Sequence, residues 1–368
     1  MFDTLFGGMM GTLSSYVCAN RMAGELCKGM GLMRDRSASA AEVAARAGVS
    51  RQTVSRVVNG LPNVTEKTRE RVLAAMEELG FRPNFAGTAL RGGSYRSIGL
   101  CMYDITRAGN LATLEGIMAA ARERDFAVTM IEMGGDAPFT LAEASRRMIE
   151  RPIDGMIINM NRMAPDFDAF VPQPGVRTVI LSMYAHPRCT TVDSDQYGSC
   201  ELVVNYLMEH GHTQIRFVAG PEGSVASGFR EAGWRDTLER AHVAPVPALR
   251  GDWTADSGYE AGERVAEEVR AGGADAPTAV FAANDQMALG AIAALEDAGL
   301  SVPGDVSVVG IDDALQGVVP HNRLTTVRFD LQRNGRLAFE AAVGEREAHE
   351  AIRLPSTLIE RATVADRQ

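Results

Sequence analysis

The chain has 368 residues, 46% of them hydrophobic and 23% charged, with a net charge of −10. That length exceeds a single compact core, so two or three domains are expected. The composition is that of an ordinary soluble globular protein, and no apolar run reaches the length needed to span a membrane, which excludes a membrane protein.

An acidic chain is on its face a poor partner for nucleic acid, yet the charge is unevenly spread. Residues 37–92 carry eight Lys and Arg against five Glu, a modestly basic head on an acidic body. The same count is compatible with random scatter. Five cysteines (Cys18, Cys27, Cys101, Cys189 and Cys200) form no CxxC pair. Their odd number and dispersed positions read as reduced thiols in a cytoplasmic protein.

Residues 1–36 show no sustained helical or strand period, and they lack the basic segment and apolar core of a signal peptide. We read them as an N-terminal extension, disordered or misannotated, with Met30 or Met33 as the start of the native chain. A regulatory arm is the rival reading.

A helical domain follows at 37–81. Ser39-Ala-Ala-Glu42 is a capping box, opening a helix that runs to about Ala47. Gly48-Val49-Ser50 supplies a tight turn and a second N-cap. A second helix, Arg51 to Asn59, buries Val54, Val57 and Val58 and groups Arg51, Gln52, Ser55 and Arg56 on its other face. Gly60-Leu61-Pro62-Asn63 breaks the chain. Thr65 then caps a third helix, Glu66 to Leu79, with Val72, Met76 and Leu79 as its buried stripe. A helix pair with a glycine turn presents side chains to the major groove, where Arg bonds guanine and Gln bonds adenine. The pattern alone equally fits a small bundle with a solvated polar face.

From Ser97 the texture becomes alternating strands and helices. Strands are expected at Ile98–Met102, Val128–Glu132, Gly155–Asn159, Ile215–Ala219, Ala279–Ala282 and Val306–Ile311. Helices are expected at Thr113–Arg124, Thr140–Glu150, Glu201–Glu209, Ala232–Arg240, Tyr259–Arg270 and Met287–Ala298. Repeated β-α units imply parallel sheets covered by helices, and two runs imply two lobes with a ligand cleft between them. This is a periplasmic-binding-protein-like α/β architecture. No Gly-rich phosphate loop follows a strand. His210-Gly211-His212 has no carboxylate or Cys at metal-ligand spacing, and Asp193 with Asp195 has no companion acid–base set. No metal, cofactor or catalysis is expected.

The words of the helical head go further than its periodicity. VAARAGVSRQTVSRVVNG and VTEKTRERVLAAMEELGFRPN resemble, nearly residue for residue, the headpiece of the lactose-repressor/galactose-repressor family. The resemblance implies that Arg51, Gln52 and Arg56 face operator bases, while Ser50, Thr53, Ser55 and Asn59 position the helix on the DNA. It also implies a hinge at 82–95, including Asn84, in which Leu90 is the wedge driven between base steps in the minor groove. The family favours Ala-Arg where Gly87-Thr88 stand here, and Gly inside a helix costs about 1 kcal/mol relative to Ala. A hinge that folds less readily is therefore expected.

The likeness continues through GPEGSVASGFREAGW, GDWTADSGY, TAVFAANDQMALGA, PGDVSVVGIDD and RLTTV. It implies an effector domain over 96–368, with one lobe about 96–194 and 330–353 and the other about 195–329 and 354–368. Arg230, Trp253, Asn284 and Asp312 would line its pocket. Arg, Asn and Asp bond sugar hydroxyls, and Trp offers a flat face to a pyranose. Each has a plainer alternative: surface ion pair for Arg230, core packing for Trp253, capping for Asn284 and Asp312. Asp313 is read as a capping partner.

Ser182 stands where the lactose-sensing pocket carries Asp, and Phe329 where it carries Gln, so a glycoside with an apolar or bulkier end is expected. Asp104 and Arg107 are either further hydroxyl binders or exposed loop charges. The sequence thus predicts a repressor that binds double-stranded operator DNA and a small-molecule effector, a sugar by preference. A non-sugar effector or a corepressor within the same family is the runner-up. The tail LPSTLIERATVADRQ has no Leu heptads, so a homodimer is expected.

Overall fold

The computed structural model describes residues 38–58, 61–81, 93–133, 140–314, 317–346 and 349–367. The extension at 1–36, Asn59, and the hinge positions Asn84, Gly87, Thr88 and Leu90 lie outside the described residues. The chain divides into two compact units, the smaller ending at Thr88.

In the smaller unit, α1 (Ala40–Ala47), α2 (Arg51–Val58) and α3 (Glu66–Glu78) close around Val43, Ala44, Ala47, Val54, Val57, Val72 and Ala75. The capping box forms: the Glu42 amide donates to Ser39 Oγ at 3.3 Å and the Ser39 amide donates to Glu42 Oε2 at 2.6 Å. Gly48 ends α1 in the left-handed region at φ 61°, where a side chain would be strained. Two expectations need correction. The buried stripe of α3 is Val72 and Ala75, with Met76 and Leu79 only half-buried, because a three-helix core this small closes on one turn of α3. Thr65 occupies the N-cap but its hydroxyl donates to Thr68 Oγ1 at 2.9 Å instead of accepting from the helix backbone.

The larger unit is α/β with parallel sheets. Its first half runs β1 (Ser97–Met102), α4 (Ala108–Glu123), β2 (Ala127–Glu132), α5 (Leu141–Ile149), β3 (Gly155–Asn159), β4 (Arg177–Leu181) and β5 (Thr190–Ser194). The second half runs α6 (Gln196–Glu209), β6 (Ile215–Ala219), α7 (Val225–Arg240), β7 (Leu249–Arg250), α8 (Ala255–Ala271), β8 (Ala279–Ala282), α9 (Asp285–Asp297) and β9 (Ser307–Val309). The chain ends through β10 (Thr326–Arg328), α10 (Leu331–Ala342), β11 (Ala351–Leu354) and β12 (Thr357–Ile359).

One sheet has the strand order β11-β5-β4-β3-β1-β2 and the other β7-β6-β8-β9, every neighbouring pair parallel. β10 and β12 pair antiparallel. Ile98, Leu100 and Ile157 pack with Phe339 in the first lobe, and Phe217, Phe281 and Val308 with Trp234 in the second. Burial on both faces explains why β1 and β3 read as continuous apolar runs. Among the described residues no helix is long and apolar enough to cross a membrane.

Helix starts differ most from the sequence expectation. α6 begins at Gln196 instead of Glu201, α7 at Val225 instead of Ala232, and α8 at Ala255 instead of Tyr259. Their first turns are Gln-Tyr-Gly-Ser, Val-Ala-Ser-Gly and Ala-Asp-Ser-Gly, which carry no apolar period. Side-chain caps from Asp195, Ser224 and Thr254 start these turns.

Candidate nucleic-acid interface and effector site

Val54 and Val57 anchor α2 in the small core, leaving Arg51, Gln52, Ser55 and Arg56 exposed. Ser50 begins this helix: its Oγ accepts from the Thr53 amide at 3.1 Å and lies 3.0 Å from Thr53 Oγ1. Arg46 of α1 pairs with Glu78 of α3 at 2.6 Å, so the cations of α2 are not drawn into that contact. A helix held by one apolar edge, with Arg, Gln, Ser and Arg on the other, is shaped to enter a major groove.

The second site is built around Arg230 on α7. The side chain is 6% exposed, and a buried guanidinium needs acceptors. Arg230 Nε donates to Gln196 Oε1 at 2.8 Å, Nη1 donates to the Ala283 carbonyl, and Nη2 pairs with Asp312 Oδ1 at 3.1 Å. Its Cζ lies 5.5 Å from the Trp253 ring centroid and 5.3 Å from that of Phe329, within cation–π range of both. Asn284 caps α9 through Oδ1, which accepts from the Met287 amide at 2.9 Å. Its Nδ2 donates to the Trp253 carbonyl at 3.0 Å. Arg230, Trp253, Asn284, Asp312 and Phe329 therefore meet in one place, between α7 and the segments that follow β7, β8, β9 and β10.

Burial pushes the Asp312 carboxyl up from its usual range, with the Arg230 charge opposing the shift. The neighbouring Asp285, fully buried at the start of α9, is pushed well up by desolvation and by Asp312. Asp313 is gripped by Arg328 at 2.6 Å and Arg361 at 2.7 Å, which makes it a strut between β10 and the segment after β12. It is held by these two ion pairs, where the sequence expectation was a capping role.

Two residues of this group, Trp253 and Asp312, carry backbone strain, and so does Asp104 of the first lobe. Asp104, Trp253 and Asp312 have φ of 43°, 77° and 112°, a region that non-glycine residues adopt at a cost. Trp253 is also laid flat over Gly220, where an added Cβ would sit 2.2 Å from the ring.

Two expected members stand apart. Ser182, buried at the end of β4, accepts from the Tyr184 amide at 3.1 Å. Asp104 is mostly exposed and pairs with Arg107 at 4.0 Å. Among the described residues neither is hydrogen-bonded to the Arg230 group. Arg107 reaches across instead, its Nη1 donating to the Asp252 carbonyl at 3.0 Å, one residue before Trp253. The lobes also touch through Tyr184 and Phe229, whose rings are 4.8 Å apart, and through the Val225 amide donating to the Asn161 carbonyl at 2.9 Å.

Gln196 was not anticipated as a member of this site. Its clue was present: Asp195 directly after a strand, followed by a polar residue, is a helix start. Asp195 Oδ1 accepts from the Gly198 amide at 2.8 Å as the cap of α6, so the Asp193/Asp195 pair is not a carboxylate dyad. His212 is buried, with its ring nitrogens 3.0 Å from Thr278 Oγ1 and 2.9 Å from the Ala365 carbonyl. That fastens the C-terminal segment to the second lobe.

Comparison with known proteins places both units. Residues 40–84 match the profile of bacterial regulatory proteins of the lacI family, and residues 204–364 that of a periplasmic binding protein-like domain. The lactose operon repressor of Escherichia coli K12 is 33% identical over 335 residues, 88% of this chain and 89% of that protein. The HTH-type transcriptional repressor PurR of Klebsiella pneumoniae is 28% identical, covering 88% of this chain and 96% of its own. A crystal structure of the lac repressor dimer bound to operator and the anti-inducer ONPF superposes with a TM-score of 0.73. It is 32% identical and covers 90% of this chain and all of its own. The chain belongs to the lacI family of bacterial regulatory proteins, and its work is DNA-binding transcriptional regulation, not catalysis.

Proposed function

We propose that the chain is a cytoplasmic repressor that binds a pseudo-palindromic operator as a homodimer and is released by a small-molecule inducer, a sugar or glycoside. The observation that carries the ligand class is Arg230, held between two aromatic rings with Asp312 and Asn284 beside it. Rings supply apolar faces for C–H surfaces, and the fixed polar groups orient hydroxyls. The operator is read by Arg51, Gln52 and Arg56, with Ser50, Thr53, Ser55 and Asn59 setting the helix on the backbone. The hinge around Asn84 and Leu90 completes the contact.

Inducer binding at the Arg230 group favours an arrangement of the two lobes in which the headpieces no longer match the half-sites. Linkage then requires operator to weaken inducer binding by the same factor. Ser182 and Phe329 argue for a ligand with a less polar or bulkier end than the lactose class.

A thermal-shift screen over mono- and oligosaccharides tests this reading, repeated with Trp253→Ala. A stabilising sugar should lose its effect in the variant and should weaken operator binding in a gel-shift titration. A hit untouched by Trp253→Ala removes the pocket assignment. A ligand that tightens operator binding replaces induction with corepression.

A further inference from the structure

Gln196 joins the Arg230 guanidinium to the other lobe. Gln196 is 5% exposed and is the first residue of α6, where the chain leaves β5 of the first sheet for the second lobe. Its amide is used at both ends. Nε2 donates to Asp193 Oδ1 at 3.1 Å, and Oε1 accepts from Arg230 Nε at 2.8 Å. Asp193 lies on β5, between Thr191 and Val192 on one side and the Ser194 amide that it accepts at 2.7 Å on the other. The bonds Asp193–Gln196–Arg230–Asp312 thus form a continuous polar chain from one sheet to the site in the other lobe. The side chain here must donate to a carboxylate and accept from a guanidinium at once, which an amide does with its two ends.

Resting on the reading of the Arg230 group as the effector site, we propose that Gln196 is its positioning residue, coupling the Arg230 guanidinium to Asp193 of the opposite lobe. A ligand that pulls on Arg230 then acts on β5 through Gln196, and the state of Asp193 is felt at the Trp253 ring. Desolvation holds the Asp193 carboxyl at about 6, against the opposing charges of Arg353 on β11 and Arg230 on α7. The other titrating groups at hand are Asp195 beside it, Asp312 bonded to Arg230, and Asp285 near Asp312. Arg353 is otherwise engaged with Thr191 and the carbonyls of Met183 and Ile352.

The test needs no ligand. The chain has two tryptophans; Trp234 is 2% exposed and stacked on Phe217, so acrylamide quenching of the full-length protein reports Trp253. In the parent protein the quenching constant should titrate with a midpoint near 6, the value of Asp193. Gln196→Met, of similar size but without the amide, should release Arg230 from Asp193. It should abolish that titration and raise quenching about twofold at neutral pH, because the cation no longer covers the ring.

Asp193→Asn, uncharged at every pH, should show pH-independent quenching at the level that the parent reaches below its midpoint. A titration that persists in Gln196→Met belongs to Asp312 or Asp285 and overturns the coupling, as does parent-like quenching in that variant with an unchanged melting temperature. If the quenching behaves as stated but no sugar in the screen stabilises the protein, the sugar reading fails and the coupling stands.

Discussion

Single side chains in this protein are held at a cost that other contacts offset. Asp193 is the clearest case. Its carboxyl has a folded value of about 6 against an ordinary 3.8, so between those values the folded protein binds a proton that the unfolded chain has released. Stability therefore falls as pH rises through that window and is lower above about 6. Asp193→Asn removes the titration while keeping acceptors for the Ser194 amide and Gln196. We expect it to raise stability at pH 8 by about 3 kcal/mol and to change little near pH 4. Thermal melts followed by circular dichroism at both pH values check this. A penalty at pH 8 would mean that the charge itself, through Arg353 and Arg230, is what β5 needs. Trp253 shows the same economy in its backbone: a φ of 77° is tolerated because Asn284 bonds its carbonyl, Arg230 stacks on its ring, and Gly220 leaves room beneath it.

Elements here are fixed more by their ends and close approaches than by apolar stripes. The capping box at Ser39 and Glu42 closes both directions, in a unit whose core is seven buried residues from three helices. With so little burial, one cap is a sizeable share of the stability. Ser39→Ala should cost about 1 kcal/mol, read as a lower urea midpoint for the isolated helical transition with an unchanged slope; no shift would mean that α1 is set by packing alone. The same physics explains what the sequence disclosed and what it hid. β3, β6 and β8 were legible to the residue because a strand buried on both faces is a closed apolar run. The starts of α6, α7 and α8 were hidden because their first turns, rich in Gly, Ser and Ala, carry no apolar period. In α8 the glycine serves backbone approach to α9: a Cβ on Gly258 would lie 2.2 Å from the Met287 carbonyl, and one on Gly290 of α9 would lie 1.9 Å from that of Ala255. Misplacing the start of α6 is also what hid Gln196. The Arg230, Trp253, Asn284, Asp312 and Phe329 grouping was reached from family words, since no spacing in the chain connects one helix residue with four others that follow four different strands.

At the scale of the whole molecule, the proposed operator recognition follows from having only one short reading helix per chain. α2 is eight residues long and exposes Arg51, Gln52, Ser55 and Arg56, enough to reach three or four base edges. Each good bidentate pair contributes about 1–3 kcal/mol of discrimination, which is too little for one headpiece to select a site against a genome of competitors. Two copies related by a twofold axis double the specific contacts, provided that both helices meet their half-sites on the same face of the duplex. B-form DNA turns once in about 10 base pairs. Inserting about five base pairs between the half-sites therefore rotates one of them to the far side. We expect that insertion to reduce affinity to the level of a single half-site in a gel-shift titration at fixed salt. Inserting about ten should restore part of it, less the cost of the longer reach. Salt must be held constant because contacts to phosphate weaken together as counterions compete. If the five-base-pair operator binds as tightly as the parent, the two headpieces are not held by a common frame. Recognition would then rest on independent half-site binding, and inducer acting through Arg230 would have no symmetric arrangement to disrupt.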